Sequence, residues 1–493
     1  MARRGGIAAT TAALIGLGLA SVWMAAPPRA AGASLTTYGG AVRLVRRTVC
    51  LGQRLEASVA TTSPAPVLWS LDDAQGHIVY PLLDAQGTSI DMRLPKTLAP
   101  GTYTLAADVK GVFGNIVDYL SAEPVSVCGS GQLAQLLAKD QIITPFVLYD
   151  RQDVLWTFAR SDMGQGQTIA LYELSAVRPQ DLSAFDQDFG LPPVHLQTVA
   201  PQGSPGQVGG AYQSEATMDV EWAHAMAPDA RLVVYLYRKP TIQSIAAAIE
   251  AAAEHGDLSF STSVVQPDFV NNSEAYLRRV ELFNDVTVAT ATQEGLAVFA
   301  AAGDHGGVTP TTSNAFGHFS WPAGNDYVVA VGGTQWNNGR ESYWNSGTTQ
   351  GVLWAGAWGY TDNTSVPTWQ TTEWEGLGLG RPTNRYIPDV SMVASNALVI
   401  VRGRVTIAGG TSLAAPLWAA VWALAQNWHI RVTGKPAPPP APAALYTLGQ
   451  DRNLALPPYL DQSPYSAASF GKYNGFGSPD VTSLIQDLVT IAP

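Results

Sequence analysis

Gly166-Gln167-Thr168-Ile169-Ala170-Leu171-Tyr172 is a glycine turn running into an unbroken apolar stretch, the pattern of a strand buried on both faces. The chain downstream repeats the theme. Stretches around 215–227 and 241–255 are Ala-rich and helical, and Val298-Phe299-Ala300-Ala301-Ala302 and Val328-Val329-Ala330-Val331 are further short apolar strands. Buried strands alternating with helices predict an α/β domain, a mostly parallel sheet flanked by helices, over residues 145–493.

Upstream the period changes. In Thr102–Val109 the apolar residues Tyr103, Leu105, Ala107 and Val109 alternate, after the turn signal Ala99-Pro100-Gly101, and Val125 and Val127 alternate into Cys128. Residues 34–128 are therefore expected to form a small all-β, immunoglobulin-like sandwich, with 129–144 as a linker. Two cysteines, Cys50 and Cys128, both fall in that region, and a disulfide between them is the expectation for an exported chain. Pro436 to Pro442 reads as an extended surface loop.

The amino terminus supports export. Arg3 and Arg4 precede an apolar run from Ile7 to Ala26, and Ala31-Gly32-Ala33 is a small-residue cleavage site, so residues 1–33 read as a signal peptide. An uncleaved anchor is the alternative, since the run is long enough to span a bilayer. No later stretch has that character, so the cleaved protein is expected off the membrane, secreted, and monomeric. The chain carries 28 Lys+Arg against 39 Asp+Glu, a net charge of -11, which argues against a nucleic-acid partner. Charged residues are only 14% of the whole, which suits an acidic medium, where a base-rich surface would repel itself.

Three segments carry chemistry. Gly409-Gly410-Thr411-Ser412-Leu413-Ala414-Ala415-Pro416 leads into a strongly helical run, placing Ser412 at a helix start with Pro416 in or near the first turn. A serine there can simply cap the helix, but it also has free N–H groups beside it, which suit an oxyanion. Glu215 and Asp219 stand four apart, on one face of a helix among Ala, Met and Trp. That pair is either a solvated face or a partly buried couple sharing a proton. Such a couple can act as base in acid, where histidine is already protonated. Asp304, in Ala302-Gly303-Asp304-His305-Gly306, follows a buried strand; it either makes an ordinary turn or, kept neutral, donates to an oxyanion.

Taken together, in this order, the segments resemble the sedolisin family of serine-carboxyl peptidases. The resemblance rests on Gly-Gly-Thr-Ser-x-x-x-Pro at 409–416, on Glu215-x-x-x-Asp219 with its Ala-His-Ala-Met-Ala-Pro continuation, and on Asp304. Gly166-Gln167-Thr168-Ile169-Ala170, Trp321-Pro322-Ala323, Ala330-Val331-Gly332-Gly333-Thr334, Pro388-Asp389-Val390-Ser391 and Gly475-Phe476-Gly477-Ser478-Pro479 agree as well. It implies a subtilisin-like fold and an acid-active endopeptidase acting on polypeptides. Ser412 would be the nucleophile, Glu215 its base, Asp219 the residue holding Glu215, Asp304 the oxyanion donor and Glu173 a further member of the proton network.

Three departures stand out. The family's Ser-Trp-Gly is Ser263-Val264-Val265 here. Its calcium loop has Asp461 at the first aspartate but Gly471 at the second, so the expected metal site is degraded and no other cofactor is implied. A β-sandwich stands where relatives carry a long propeptide. A catalytically impaired protein that binds polypeptides is the competing reading. A histidine-dependent subtilase is a third, set back because none of the seven histidines lies in a His-Gly-Thr-His segment.

Overall fold

The computed structural model describes residues 40–61, 67–72, 74, 78–81, 87–94, 98, 100–110, 116–128, 142–159, 162–264, 274–308, 321–337, 340–371, 383–437, 441–450 and 471–490. The signal-peptide reading of 1–33, most of the 129–144 linker, Val265 and Asp461 lie outside them.

The centre of the larger part is an eight-stranded sheet. Its order is His195–Val199, Arg231–Leu236, Thr168–Glu173, Ser259–Thr262, Ala297–Ala301, Val328–Asn337 and Arg340–Tyr343, with Val390–Val393 also on Val328–Asn337. Every pairing is parallel except that of Arg340–Tyr343. The inner strands Thr168–Glu173, Arg231–Leu236 and Ala297–Ala301 are mostly apolar because both faces are covered. Ile169, Leu171, Leu232, Val234, Phe299 and Ala301 enter one core, with the long helix Thr411–Thr433. Ala170, Tyr172, Val233, Tyr235, Val298 and Ala300 enter the other, with the helix Ile242–His255. The period of two thus sorts each strand between two cores. Thr241 caps the latter helix through a reciprocal bond with Ser244, and Gly256 closes it in the left-handed region.

One buried ion pair braces this sheet. Arg385 and Asp389 are both fully buried and hydrogen-bonded to each other. Ala330 N–H and the Tyr446 hydroxyl also donate to the Asp389 carboxylate, at 2.7 and 3.0 Å. The guanidinium's Nη1 also donates to the carbonyls of Ala323 and Asn325, and its Nη2 to that of Val328.

The amino-terminal part is all-β. An antiparallel sheet of Gly40–Leu44, Arg54–Thr61 and Ser89–Arg93 faces a five-stranded sheet ordered Thr48–Cys50, Ile116–Cys128, Gly101–Lys110, Val67–Asp72 and Ile78–Pro81. Leu55, Val59, Ile90 and Met92 from the first meet Trp69, Leu71, Leu105 and Val125 from the second in one core. Tyr103, Leu105 and Ala107 are buried, as the alternation predicts. Cys50 and Cys128 are bonded, but they sit opposite each other on directly paired parallel strands of the same sheet. The bridge therefore staples a sheet edge and does not tie the two sheets together, unlike the bridge of antibody-type sandwiches.

Pro416 is the sixth residue of Thr411–Thr433, just past its first turn. Two local expectations are corrected. Ala441 and Pro442 do not extend the proline-rich loop; they open the helix Ala441–Gln450, since proline is tolerated where the N–H has no helical partner. Ile143, expected as linker, forms a bridge to Ala397: its N–H donates to Asn396 O at 2.7 Å, and Leu398 N–H donates back at 3.0 Å. It thereby extends the hairpin of Ala397–Val401 and Arg404–Ala408. Among the described residues no helix is long and apolar enough to cross a membrane.

Candidate active site

The C-terminal edge of the parallel strands is where crossover loops gather, and the sequence-selected residues converge there. Glu173 ends the strand Thr168–Glu173, Ser263 follows Ser259–Thr262, and Asp304 follows Ala297–Ala301. Glu215 and Asp219 lie one turn apart on the helix Gly210–Met226, which packs against the helix carrying Ser412.

Ser412 is the second residue of its helix, so the unsatisfied N–H groups and positive end of the dipole lie beside its hydroxyl. The chain reaches that position through two glycines that nothing larger could replace. A Cβ on Gly409 would sit 2.5 Å from Ala394 O, and one on Gly410, at φ +123°, would sit 2.8 Å from an Asp304 carboxyl oxygen. Ser412 and Glu215 are half-buried and hydrogen-bonded through their side chains. Burial pushes the Glu215 carboxyl up to about 7, with the Asp304 charge adding and the Ser412 hydroxyl opposing.

Behind them, Asp219 and Glu173 are fully buried and hydrogen-bonded to each other, so at least one is protonated. Burial raises both carboxyls well above the ordinary range. The Glu215 charge raises Glu173 further, and the Glu173 and Glu215 charges raise Asp219. The Ser263 hydroxyl lies 2.5 Å from Asp219 Oδ2 and 2.9 Å from the main-chain carbonyl of Ser412.

Asp304 lies against Gly410 and Thr411, close enough for its charge to act on Glu215. Its Oδ1 accepts from Thr411 N–H and from the Thr411 hydroxyl, both at 2.8 Å, and that hydroxyl accepts from Gly303 N–H at 3.0 Å. Burial raises its carboxyl, against the pull of these bonds and of the His305 charge. With Oδ1 engaged as an acceptor twice over, a proton on this carboxyl belongs on Oδ2, beside Gly410.

All five carboxyl and hydroxyl residues singled out as catalytic or supporting are thus brought together. Asp461 lies outside the described residues, and Gly471 pairs with Gly475 through main-chain bonds and offers no side-chain oxygen. Among the described residues no group of three or more His, Cys, Asp or Glu is placed to hold a metal ion. Two contributors escaped the sequence reading. Thr411 reads in sequence only as a helix-start residue, and Ser263 only as part of a departure from the family pattern.

No family model matches the chain. Kumamolisin from Bacillus sp. (strain MN-32) is 28% identical over 351 residues, 67% of this chain and 60% of that protein. Sedolisin from Pseudomonas sp. (strain 101) is 28% identical over 280 residues, 52% of this chain and 46% of that protein. The chain thus spans about half to three-fifths of these relatives' length. Among solved structures, Pseudomonas sedolisin, a serine-carboxyl proteinase complexed with two molecules of pseudo-iodotyrostatin, superposes with a TM-score of 0.56 at 24% identity, covering 69% of this chain and 97% of that one. The sequence kinship supports membership of the sedolisin family, whose α/β fold this chain shares.

Proposed function

We propose that this protein is an acid-active endopeptidase that hydrolyses polypeptides through Ser412. The observation that carries the reading is the hydrogen bond between the Ser412 hydroxyl and a carboxyl that has two further carboxyls behind it and no cation in the set. Glu215 takes the hydroxyl proton as Ser412 attacks the peptide carbonyl, then returns it to the departing amine. Asp219 and Glu173 share protons with Glu215, so the three titrate as a unit and one negative charge among them serves as base. Asp304, protonated on Oδ2, donates to the oxyanion of the tetrahedral intermediate. Water then releases the acyl group by the same route.

The pH dependence follows. The productive form needs an ionised Glu215 and a neutral Asp304. The rate rises as the carboxyl trio ionises and falls as Asp304 loses its proton. The optimum therefore lies between the two titrations, on the acid side of neutral, the reverse of a histidine-based serine peptidase. The test is cleavage of a denatured protein from about pH 2 to about pH 8, with Ser412→Ala beside the wild type. An acid maximum lost in the variant is expected; a maximum at or above neutral pH would falsify the mechanism.

Residues 1–33 are read as a cleaved signal, the enzyme as a secreted monomer, and residues 34–128 as an immunoglobulin-like accessory domain ahead of the peptidase domain at 145–493. The two-sheet core and the disulfide support the accessory domain. A polypeptide-binding protein with impaired catalysis is the second reading. Val264 favours it: this half-buried valine packs into the core where the family resemblance expects the tryptophan beside the carboxyls. Absence of cleavage at every pH, with peptide binding retained, would establish that reading.

A further inference from the structure

Ser263 has one hydroxyl hydrogen and two oxygen neighbours, Asp219 Oδ2 and the Ser412 carbonyl. The carbonyl needs it because residue 416 is proline. In a helix the N–H four residues on serves each carbonyl, and Pro416 has none to give to Ser412. If Asp219 Oδ2 is a bare carboxylate oxygen, it and the carbonyl compete for the single hydrogen, and one contact is left as two facing acceptors. Both are hydrogen bonds at once only when Asp219 Oδ2 carries a proton and donates to Ser263, which then donates to Ser412.

We propose that Ser263 is a positioning residue that ties the protonation of Asp219 to the main chain of the nucleophile, by supplying the hydrogen bond that Pro416 withholds. With Asp219 protonated, the relay runs from Asp219 through Ser263 to the Ser412 carbonyl, and the opening turn of the helix is held with the Ser412 hydroxyl on Glu215. When Asp219 loses its proton to solvent, the Ser263 hydrogen turns to the carboxylate and the buried carbonyl is left without its donor. Ionisation of Asp219 therefore carries an added cost set by a proline four residues beyond the nucleophile.

The charged groups facing Asp219 are Glu173 on the neighbouring strand and Glu215 on its own helix, with Asp304 acting on it through Glu215. None is cationic, and with the Asp219 proton on Oδ2 the hydrogen in the Asp219–Glu173 bond is that of Glu173. The inference deepens the peptidase reading and rests on it for its consequence to catalysis, but its test does not require turnover.

The test is a cycle of Pro416→Ala and Ser263→Ala, read by infrared titration of the protonated-carboxyl band that disappears in Asp219→Asn. Pro416→Ala restores a helical N–H to the Ser412 carbonyl and frees the Ser263 hydrogen for the carboxylate. The apparent pKa of the Asp219 band should then fall by about one pH unit, the size expected of an unsatisfied buried carbonyl. In the Ser263→Ala background the same substitution should leave that pKa where it is, and Ser263→Thr, which keeps the hydroxyl, should restore the sensitivity. An unchanged pKa in Pro416→Ala, or an equal fall with and without the Ser263 hydroxyl, overturns the proposal. Either result stands whether or not the protein cleaves peptides, so the failure of one reading is not mistaken for failure of the other. Alanine is a better helix former than proline, and Ser263→Thr serves as a second, conservative probe of the same relay.

Discussion

Two sets of buried acids sit on one sheet, and they are handled in opposite ways. Around Asp389 burial drives the carboxyl up, while the Arg385 guanidinium, the Ala330 N–H and the Tyr446 hydroxyl all pull it back. The guanidinium, the Ala330 N–H and the Tyr446 hydroxyl all donate to the carboxylate, and Nη1 of the guanidinium is held by main-chain carbonyls. Around Asp219 burial acts in the same direction, but the neighbours are Glu173 and Glu215, and they push the same way. Protons must fill the role that Arg385 fills elsewhere. On the proposed mechanism the difference separates an acid that stays put from acids that exchange hydrogen, although the depth of burial of Asp389, Asp219 and Glu173 is alike.

Four experiments break or sharpen that contrast. The largest effect is expected at the proton-sharing set: Ser412→Ala and Glu215→Gln should each lower kcat/KM by at least about 10³-fold, with no loss of melting temperature. Next comes the compensated set. Arg385→Met leaves Asp389 buried without its cation and should cost about 3–5 kcal/mol in unfolding free energy, measured by denaturant titration. If that variant is as stable as the wild type, the two sets do not differ as argued. Asp304→Asn should lower kcat by about 10²-fold and abolish the alkaline limb of the pH profile, since an amide cannot lose the hydrogen that the carboxyl loses. The smallest effect is on stability. Glu173, Glu215 and Asp219 have folded-state pKa values above their unfolded ones, so the folded protein holds more protons between about pH 4 and about pH 7. Stability contributed by these groups is present below pH 4 and declines as pH rises, and the melting temperature should fall by roughly a few degrees across that window. Glu215→Gln should flatten the decline; a melting temperature that climbs from pH 4 to 7 in the wild type alone would contradict it.

The alternation of Tyr103, Leu105 and Ala107 and the apolar run Ile169–Tyr172 were legible because burial imposes a pattern on neighbours in sequence. Gly409 to Ser412 was legible for a related reason: the close approach of Ala394 and Asp304 leaves room only for glycine. What could not be read depends on partners distant in the chain. Ser263 is 149 residues from Ser412 and 44 from Asp219, and nothing local distinguishes it from Ser261. Asp389 was visible as part of a motif, but its partner Arg385 gave no sign of being fully buried. The disulfide pairing could be guessed from two cysteines, whereas its position between adjacent strands follows from a sheet order that composition does not encode.

The Ile143 clasp has a mechanical consequence. The hairpin it extends runs from Ala408 directly into Gly409-Gly410-Thr411-Ser412. Tension on the amino-terminal half would load two main-chain hydrogen bonds at the root of the segment that carries Ser412. A cut upstream of Ile142 would relieve that load and leave the clasp in place, whereas a cut beyond Leu148 would release the strap itself.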